Sequence, residues 1–234
     1  FAKFLVDHGY VSAESGSFVA DTLAGPKPIT FTVDAENKLA TATVDMDAPI
    51  LEAALIPVAP NAATSPTAHK GTCAIDAEAI VVQTIESPWG VFTFACVSMG
   101  NPHAVCFLDK ETFAALPAEC FTDTPRSLKT LDVARVGSFF EAHKFFPEKT
   151  NVEFAVVEDA RNISMRVFER GCGETHACGT GACATQVAAH LLGITEPAAD
   201  LHLLGGVLHI ALEGGHVIMT GPAAMSFSGT VDPK

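Results

Sequence analysis

The sequence predicts an α+β fold of two pseudo-symmetric halves, each built of mostly antiparallel strands wrapped around a central helix. Three observations lead there. Apolar residues alternate with polar ones, the pattern of half-buried strands, in segments spread along the chain. One helical segment, residues 182–192, is apolar on nearly every side, so it belongs in an interior rather than on a surface. Finally, the plan helix, glycine stop, loop, strand, polar turn, strand, proline runs from Phe1 to Pro49 and again from Gly179 to Pro222. The two stretches share little identity, so the repeat is one of architecture.

The elements follow in order. Phe1, Phe4, Leu5 and His8 are spaced as one helix face, and Gly9 is placed to stop that helix. Pro26 and Pro28 precede an alternating segment, Ile29 to Val33, and the polar turn Asp34–Asn37 leads into a second, Leu39 to Met46, which Pro49 ends. Pro57 to Thr72 is rich in Ala, Pro, Thr and Ser without hydrophobic period, as in a linker. Strands are expected over Ala79–Ile85 and Val91–Val97 around a turn at Pro88–Gly90, then over Ala104–Leu108. A helix over Leu131–Ala142 and strands over Asn151–Val157 and Ile163–Phe168 come next. Ala184, Val187, Ala188, Leu191 and Leu192 form one face of the next helix, Ala182, Cys183 and Ala189 cover its other side, and Gly193 closes it. Val207–Leu212 and His216–Thr220 make a final hairpin around Glu213–Gly215, stopping at Pro222.

Composition narrows the function. With 234 residues, 48% hydrophobic and 18% charged, the chain can bury a large core and cannot remain disordered. A net charge of −13, from 14 basic and 27 acidic residues, excludes a nucleic-acid partner, which would demand Lys/Arg patches. Seven cysteines, an odd number, fit a reducing cytoplasm better than a disulfide framework. The opening FAKFLVDHGYV lacks the parts of a signal peptide. No apolar run reaches the roughly 20 residues a bilayer span requires. A cytoplasmic protein without membrane partners is therefore expected. The chain starts on Phe1 inside an amphipathic pattern, which reads as a sequence whose beginning is missing.

The chemistry concentrates in residues 168–183, Phe-Glu-Arg-Gly-Cys-Gly-Glu-Thr-His-Ala-Cys-Gly-Thr-Gly-Ala-Cys. A charged pair, Glu169 and Arg170, ends a strand, and the chain runs through four glycines, at 171, 173, 179 and 181, as it enters the buried helix at Cys178-Gly179-Thr180. A thiol at a helix N-terminus meets free N–H groups and partial positive charge, which lower its pKa and favour thiolate near neutrality. The same N–H groups can hold a carboxylate. Three readings compete here. Cys178 as a buried small hydrophobe is the ordinary fate of a free cysteine, but it leaves Glu169–Arg170 and the glycines unexplained. A dinucleotide loop is matched by Gly179-Thr-Gly181-Ala-Cys-Ala184, yet that fingerprint follows its strand directly and the nearest strand ends roughly eleven residues earlier. Zinc at Cys172, Cys178 and Cys183 lacks a Cys-x-x-Cys pair and a fourth ligand.

The run Glu169 to Ala182 resembles the signature of the diaminopimelate epimerases, cofactor-independent amino-acid isomerases of lysine and cell-wall synthesis. Two more blocks match in the family's order: Met99-Gly-Asn-Pro-His103, and Phe145-Phe-Pro with Thr150-Asn-Val-Glu-Phe154. The opening FAKFLVDHGYV is similar to the helix after the family's first Cys-Gly-Asn-Gly motif. The resemblance implies an active site in the cleft between the two halves. There, two cysteines flank the substrate α-carbon, one removing its proton while the other delivers a proton to the opposite face. Carried over residue by residue, Cys178 is one base, Glu169 pairs with it and with the α-ammonium, and His103 is the proton partner of the other cysteine. Gly179 and Thr180 would hold the reacting carboxylate, Arg170 the distal carboxylate, and Asn101 and Asn151 the distal amino-acid end. Glu174 is expected to fix the loop through backbone hydrogen bonds, His176 to stay outside the chemistry, and Cys172 and Cys183 to be structural. No pyridoxal phosphate or metal is implied. The partner is a small amino acid, and a homodimer is the assembly the family admits.

The resemblance further implies the remainder of an N-terminal epimerase domain over residues 1–70 and a C-terminal domain over 71–223, with 224–234 returning to the first. No Cys-Gly-Asn-Gly occurs in the sequence. Cys178 precedes the helix-stopping Gly193 by fifteen residues, and the same offset from Gly9 falls seven positions upstream of Phe1. The first catalytic cysteine is expected there, and the isolated chain is expected to be inactive. The alternatives are a proline or hydroxyproline racemase of the same fold, for which Arg170, Asn101 and Asn151 would lack a partner, and a non-catalytic amino-acid-binding relative.

Overall fold

The computed structural model describes residues 1–22, 25–59, 61–68, 74–75, 77–227 and 229–231. It divides into two compact units, Phe1–Asp45 with Thr220–Lys234, and Met46–Met219. The expected domain boundary at 70/71 lies outside the described residues, as do Cys73 and parts of the expected linker. Residues 46–59 pack with the larger unit, where Ile56 and Val58 are buried beside Phe92 and Phe94.

In the smaller unit, helix α1 (Ala2–Asp7) is followed by strands β1 (Ser17–Thr22), β2 (Gly25–Val33) and β3 (Leu39–Asp45), paired antiparallel in that order. Gly9 stops α1 with a left-handed φ of +74°, a conformation that costs a side chain little only when there is none. The buried face of α1 differs from the expected one. Phe1 and Phe4 are 81% and 52% exposed, while Val6 packs on Leu39 and Phe31. Polar ties decide this orientation: Lys3 donates to the Leu39 carbonyl (2.8 Å), and Asp7 pairs with Lys3 and accepts from Leu39 N–H (2.8 Å).

The larger unit continues with β4 (Thr64–Pro66), β5 (Ala79–Ser87), β6 (Gly90–Ser98), β7 (Pro102–Phe107), α2 (Lys110–Ala115), α3 (Val133–Glu141), β8 (Asn151–Asp159), β9 (Asn162–Glu169), β10 (Gly173–Thr175), α4 (Gly179–Leu191), β11 (Ala198–Leu203), β12 (Gly206–Glu213) and β13 (His216–Pro222), the last of which ends in the smaller unit. Its strands lie in the order β13-β12-β11-β9-β8-β7-β6-β5-β4, with β10 folded onto β9. Pairing is parallel at β7–β8 and β9–β11 and antiparallel at β4–β5, β5–β6, β6–β7, β8–β9, β9–β10 and β11–β12. Strands β1, β4, β10 and β11 and helix α2 lie where no element was expected.

The alternation of β8 and β9 builds a core on each side of the sheet. Val152 and Phe154 join a phenylalanine-rich core with α3, while Ala155, Ile163, Met165 and Val167 join a core of small residues with α4. Helix α4 is buried from Gly181 to Leu191 and packs against β6, β7, β8, β11 and β12. Its Gly, Ala and Cys side chains are short, which lets the surrounding strands approach closely. Gly193 then takes a left-handed φ of +77°. In α3, Gly137 is required by contact, because a Cβ there would stand 2.5 Å from Phe168 Cβ. No described helix is long and apolar enough to cross a membrane.

Candidate active site

The sheet's parallel step brings three of the sequence motifs together. His103 on β7 is level with Asn151 on β8, and β9 ends beside them at Glu169. Asn151 is buried and acts as a clip: its Nδ2 donates to the Pro102 carbonyl (2.8 Å) and its Oδ1 accepts from Arg170 N–H (2.8 Å). Its amide thus ties three strand ends together and satisfies buried backbone groups that would otherwise be costly. After Arg170 the chain turns at Gly171, whose N–H donates to the buried carboxylate of Glu141 (2.9 Å), and returns as β10. Arg166 fastens this hairpin. Its Nε and Nη2 meet Glu174 Oε1 at 2.7 and 2.6 Å, and its Nη1 donates to the carbonyls of Leu128, Lys129 and Leu131. Glu174 therefore fixes the loop through Arg166, not through the backbone bonds expected of it.

Cys178 is the N-cap of α4, with only 6% of its surface exposed. Its sulfur accepts from Gly181 N–H (3.4 Å) and lies 3.5 Å from Thr180 Oγ1. The geometry is that of a helix-capping thiol, but the electrostatics reverse the expectation of a lowered pKa. Burial, and then the negative charge of Glu153, push the thiol up to about 11, against the opposing hydrogen bonds from Thr180 and Gly181 and with Glu169 adding to the rise. Desolvation of a thiolate here outweighs the helix N-terminus. The thiol form of Cys178 is therefore favoured over the thiolate at neutral pH. Cys106 and Cys183 are pushed up to about 12 and Cys120 to about 11, mainly by burial. Cys172 is exposed on the turn.

Behind Cys178 runs a chain of polar contacts. Thr180 Oγ1 accepts from Asn101 Nδ2 (3.3 Å), Asn101 Oδ1 faces His103 Nε2 (3.1 Å), and His103 Nδ1 meets Glu153 Oε1 (2.6 Å). His103 and Glu153 have no exposed side-chain surface. Glu153 was not singled out from the sequence, although a carboxylate inside the apolar run of β8, Asn-Val-Glu-Phe-Ala, was its visible signal. Glu169 accepts a hydrogen bond from the Thr175 hydroxyl. Arg170 is exposed, with Nη1 donating to the Glu148 carbonyl (3.1 Å). His176 is exposed and offers its carbonyl to Gly205 N–H. The structure thus brings Cys178, Gly179, Thr180, Asn101 and His103 into one connected group, and places Asn151 and Arg170 at its edge. Cavities of about 590 and 610 Å³ lie elsewhere, one lined by Phe113, Leu128 and Arg166, the other by Gln83, Glu86 and His143.

Comparison with known proteins matches this group to one family. The sequence profile of diaminopimelate epimerase fits residues 95–226, which contain the whole connected group from Asn101 to Thr180. The chain is 38% identical to the diaminopimelate epimerase of Desulfitobacterium hafniense over 232 residues, 99% of this chain and 70% of the relative. The chain belongs to the diaminopimelate epimerase family. Membership places it among the isomerases. The diaminopimelate epimerases of Methanococcus maripaludis and Leptospira biflexa are each 36% identical, over 98% of this chain and 71% of theirs. Among solved structures, the probable proline racemase of Agrobacterium radiobacter K84 aligns with a TM-score of 0.64 at 14% identity, covering all of this chain and 66% of that one. A hydroxyproline epimerase of Agrobacterium vitis gives 0.58 at 15% identity, over 94% of this chain and 61% of its own. These two show the fold. The chain spans about 70% of the length of the curated relatives and less than two thirds of either solved chain.

Proposed function

We propose that the protein containing these 234 residues interconverts LL- and meso-diaminopimelate by a two-cysteine proton transfer, in the cytoplasm, as a step of lysine biosynthesis. The observation that carries the reading is Cys178, capping a buried helix inside the family's signature, with its sulfur beside the first-turn N–H groups of α4. A thiol held protonated at neutral pH is suited to deliver a proton to one face of the α-carbon. The opposite face loses its proton to a second, thiolate cysteine, and the return reaction exchanges the two roles. Negative charge that builds on the α-carboxylate as the proton leaves is met by the N–H groups of Gly179 and Thr180, which have no intrahelical acceptor. The substrate's α-ammonium would approach Glu169, offsetting the charge that raises the Cys178 pKa. The exposed Arg170 guanidinium suits a distal carboxylate as a two-pronged donor, and Asn101 would serve the same distal end. Asn151, whose amide is committed to Pro102 and Arg170, would act on the distal end by holding Arg170 in place.

The second cysteine is assigned to a segment outside these residues, since the curated relatives are longer than this chain. The complete protein would then consist of two similar halves, each with a central helix, and the site would lie between them. Residues of the smaller unit, including the segment after Thr220, would belong to the N-terminal half. The test is α-hydrogen exchange and LL-to-meso conversion by the complete protein. Cys178→Ser is expected to lower turnover by roughly 10²–10⁴-fold, the usual worth of a placed acid or base. The isolated 234 residues are expected to convert nothing. Near-normal turnover of Cys178→Ser, or conversion by the isolated chain, would remove the two-cysteine scheme.

A further inference from the structure

Arg170 is exposed, at the head of the short turn between β9 and β10, where a chain is ordinarily mobile. A guanidinium that meets a carboxylate with two parallel N–H groups has to be aimed, since the contact depends on the plane and direction of the fork. Two buried side chains hold this turn from beneath. Asn151 Oδ1 accepts from Arg170 N–H at 2.8 Å, and Glu141 Oε1 accepts from the next N–H, that of Gly171, at 2.9 Å. Asn151 belongs to the family's motif. Glu141 comes from a different element, as the last residue of α3.

An acidic side chain is a poor choice for that place. The free carbonyls at a helix C-terminus carry partial negative charge, and burial adds to the penalty. The ion pair gives little back, because Lys149 Nζ stands 3.4 Å from either oxygen and its side chain is exposed. The contacts of Glu141 lead instead to both ends of Arg170. At the backbone end, its Oε1 takes the Gly171 N–H. At the guanidinium end, Arg170 Nη1 donates to the Glu148 carbonyl (3.1 Å), and the two residues after Glu148 are fastened to Glu141. Lys149 reaches it through the ammonium, and Thr150 N–H donates to the Glu141 carbonyl (3.2 Å). The remaining guanidinium N–H groups of Arg170 have no partner among the described residues. We propose that Glu141 is a positioning residue for recognition of the distal carboxylate. By holding the Gly171 N–H and the segment after Glu148, it fixes where the Arg170 fork points. It thereby sets the affinity for a substrate that carries a second carboxylate. The assignment rests on the reading of Arg170 as the group that binds this carboxylate.

The test is the kinetics of diaminopimelate conversion by the complete protein. Glu141→Asp keeps the acid but is one carbon too short for the Gly171 N–H. Glu141→Gln keeps an oxygen at the right distance and gives up the ion pair. Glu141→Asp is expected to raise KM about fivefold or more with kcat changed less than about threefold, and Glu141→Gln to keep both within about twofold of wild type. The opposite order, with Gln impaired and Asp normal, would make charge the cause and overturn the proposal. Arg170→Lys, a cation without a fork, is expected to raise KM by itself and to cancel most of the effect of Glu141→Asp when the two are combined. Effects that simply multiply would overturn the proposal, because Glu141 would then act on something other than Arg170. A normal KM in Glu141→Asp beside a raised KM in Arg170→Lys would reject the positioning role alone. An unchanged KM in Arg170→Lys would reject the reading of Arg170, and the positioning role with it. If Glu141→Asp does not fold, Glu141→Met, which fills the space without an acceptor, takes its place with the same expected split. Failure of both to fold would make the residue structural and overturn the proposal.

Discussion

Gly181→Ala sets two known effects against each other at one position. In an exposed helix, replacing glycine by alanine is favourable by about 0.8–1.0 kcal/mol, because glycine has more freedom to lose. At Gly181 the added methyl would stand 2.8 Å from Glu153 Oε1 and 3.3 Å from both Cβ and Sγ of Cys178. None of these neighbours can yield cheaply. Glu153 is enclosed and held by His103, and Cys178 caps the same helix. Overpacking of this kind costs about 1–3 kcal/mol, and leaving a buried polar group without its hydrogen-bond partner about 1–3 kcal/mol. A partial disturbance of both exceeds the propensity gain, so the net loss is expected to be about 2 kcal/mol. With a urea slope of about 2 kcal/mol/M, the midpoint would fall by about 1 M. Trp89, the sole tryptophan, lies in the larger unit, so its fluorescence follows the unit that carries the change. A Gly181→Ala chain more stable than wild type would show that the close approach of Glu153 to α4 is wrong.

Alkaline pH gives a second measurement. Cys178 has an ordinary value of 9.0 raised to about 11, so between those values the folded state holds a proton that the unfolded state has released. The stability this represents is complete below about pH 9 and is lost as pH rises to about 11, amounting to about 3 kcal/mol at ~1.4 kcal/mol per tenfold change in proton affinity. Cys106, Cys120 and Cys183 act in the same direction. Urea midpoints are therefore expected to fall from about pH 8 to about pH 10.5, and less steeply in Cys178→Ser; equal slopes would contradict the burial assigned to this thiol. Arg166→Lys replaces a planar fork serving Glu174 and three carbonyls with a single ammonium. A loss of about 2–3 kcal/mol is expected, seen as a Tm lowered by about 4–12 °C, and a drop under about 2 °C would count against the bracing role.

Legibility in the sequence followed the physics of each element. The helix over residues 179–191 and its stop at Gly193 could be read because an apolar surface all round, ended by a glycine, has few other solutions. Most strands could be read from alternation. β1 and β11 could not: Ser17–Thr22 and Ala198–Leu203 mix polar residues into a short strand whose pairing is settled only by neighbours distant in sequence. The face of α1 was misread because its orientation is set by Lys3 and Asp7 contacts with β3, which hydrophobic spacing does not encode. At the site, residue types and order were visible. The depth of burial around Cys178 and the charge of Glu153 beside it belong to the tertiary structure, and these reversed the expected direction of its pKa. The commitment of both Asn151 amide atoms to backbone partners was equally out of reach of the sequence.

The complete enclosure of α4 has a consequence for how the chain is made. A helix with no solvent-facing side cannot be added to a finished sheet, and its walls come from β6, which begins at Gly90, to β12, which ends at Glu213. Contacts so far apart in sequence close slowly. During synthesis α4 is complete at Leu191, while the strands that finish its cover, β11 and β12, end only at Glu213, so its apolar surface lacks that cover until the chain past Glu213 is free to fold. In that interval the segment that later positions Cys178 presents open apolar surface, the condition under which nascent chains aggregate.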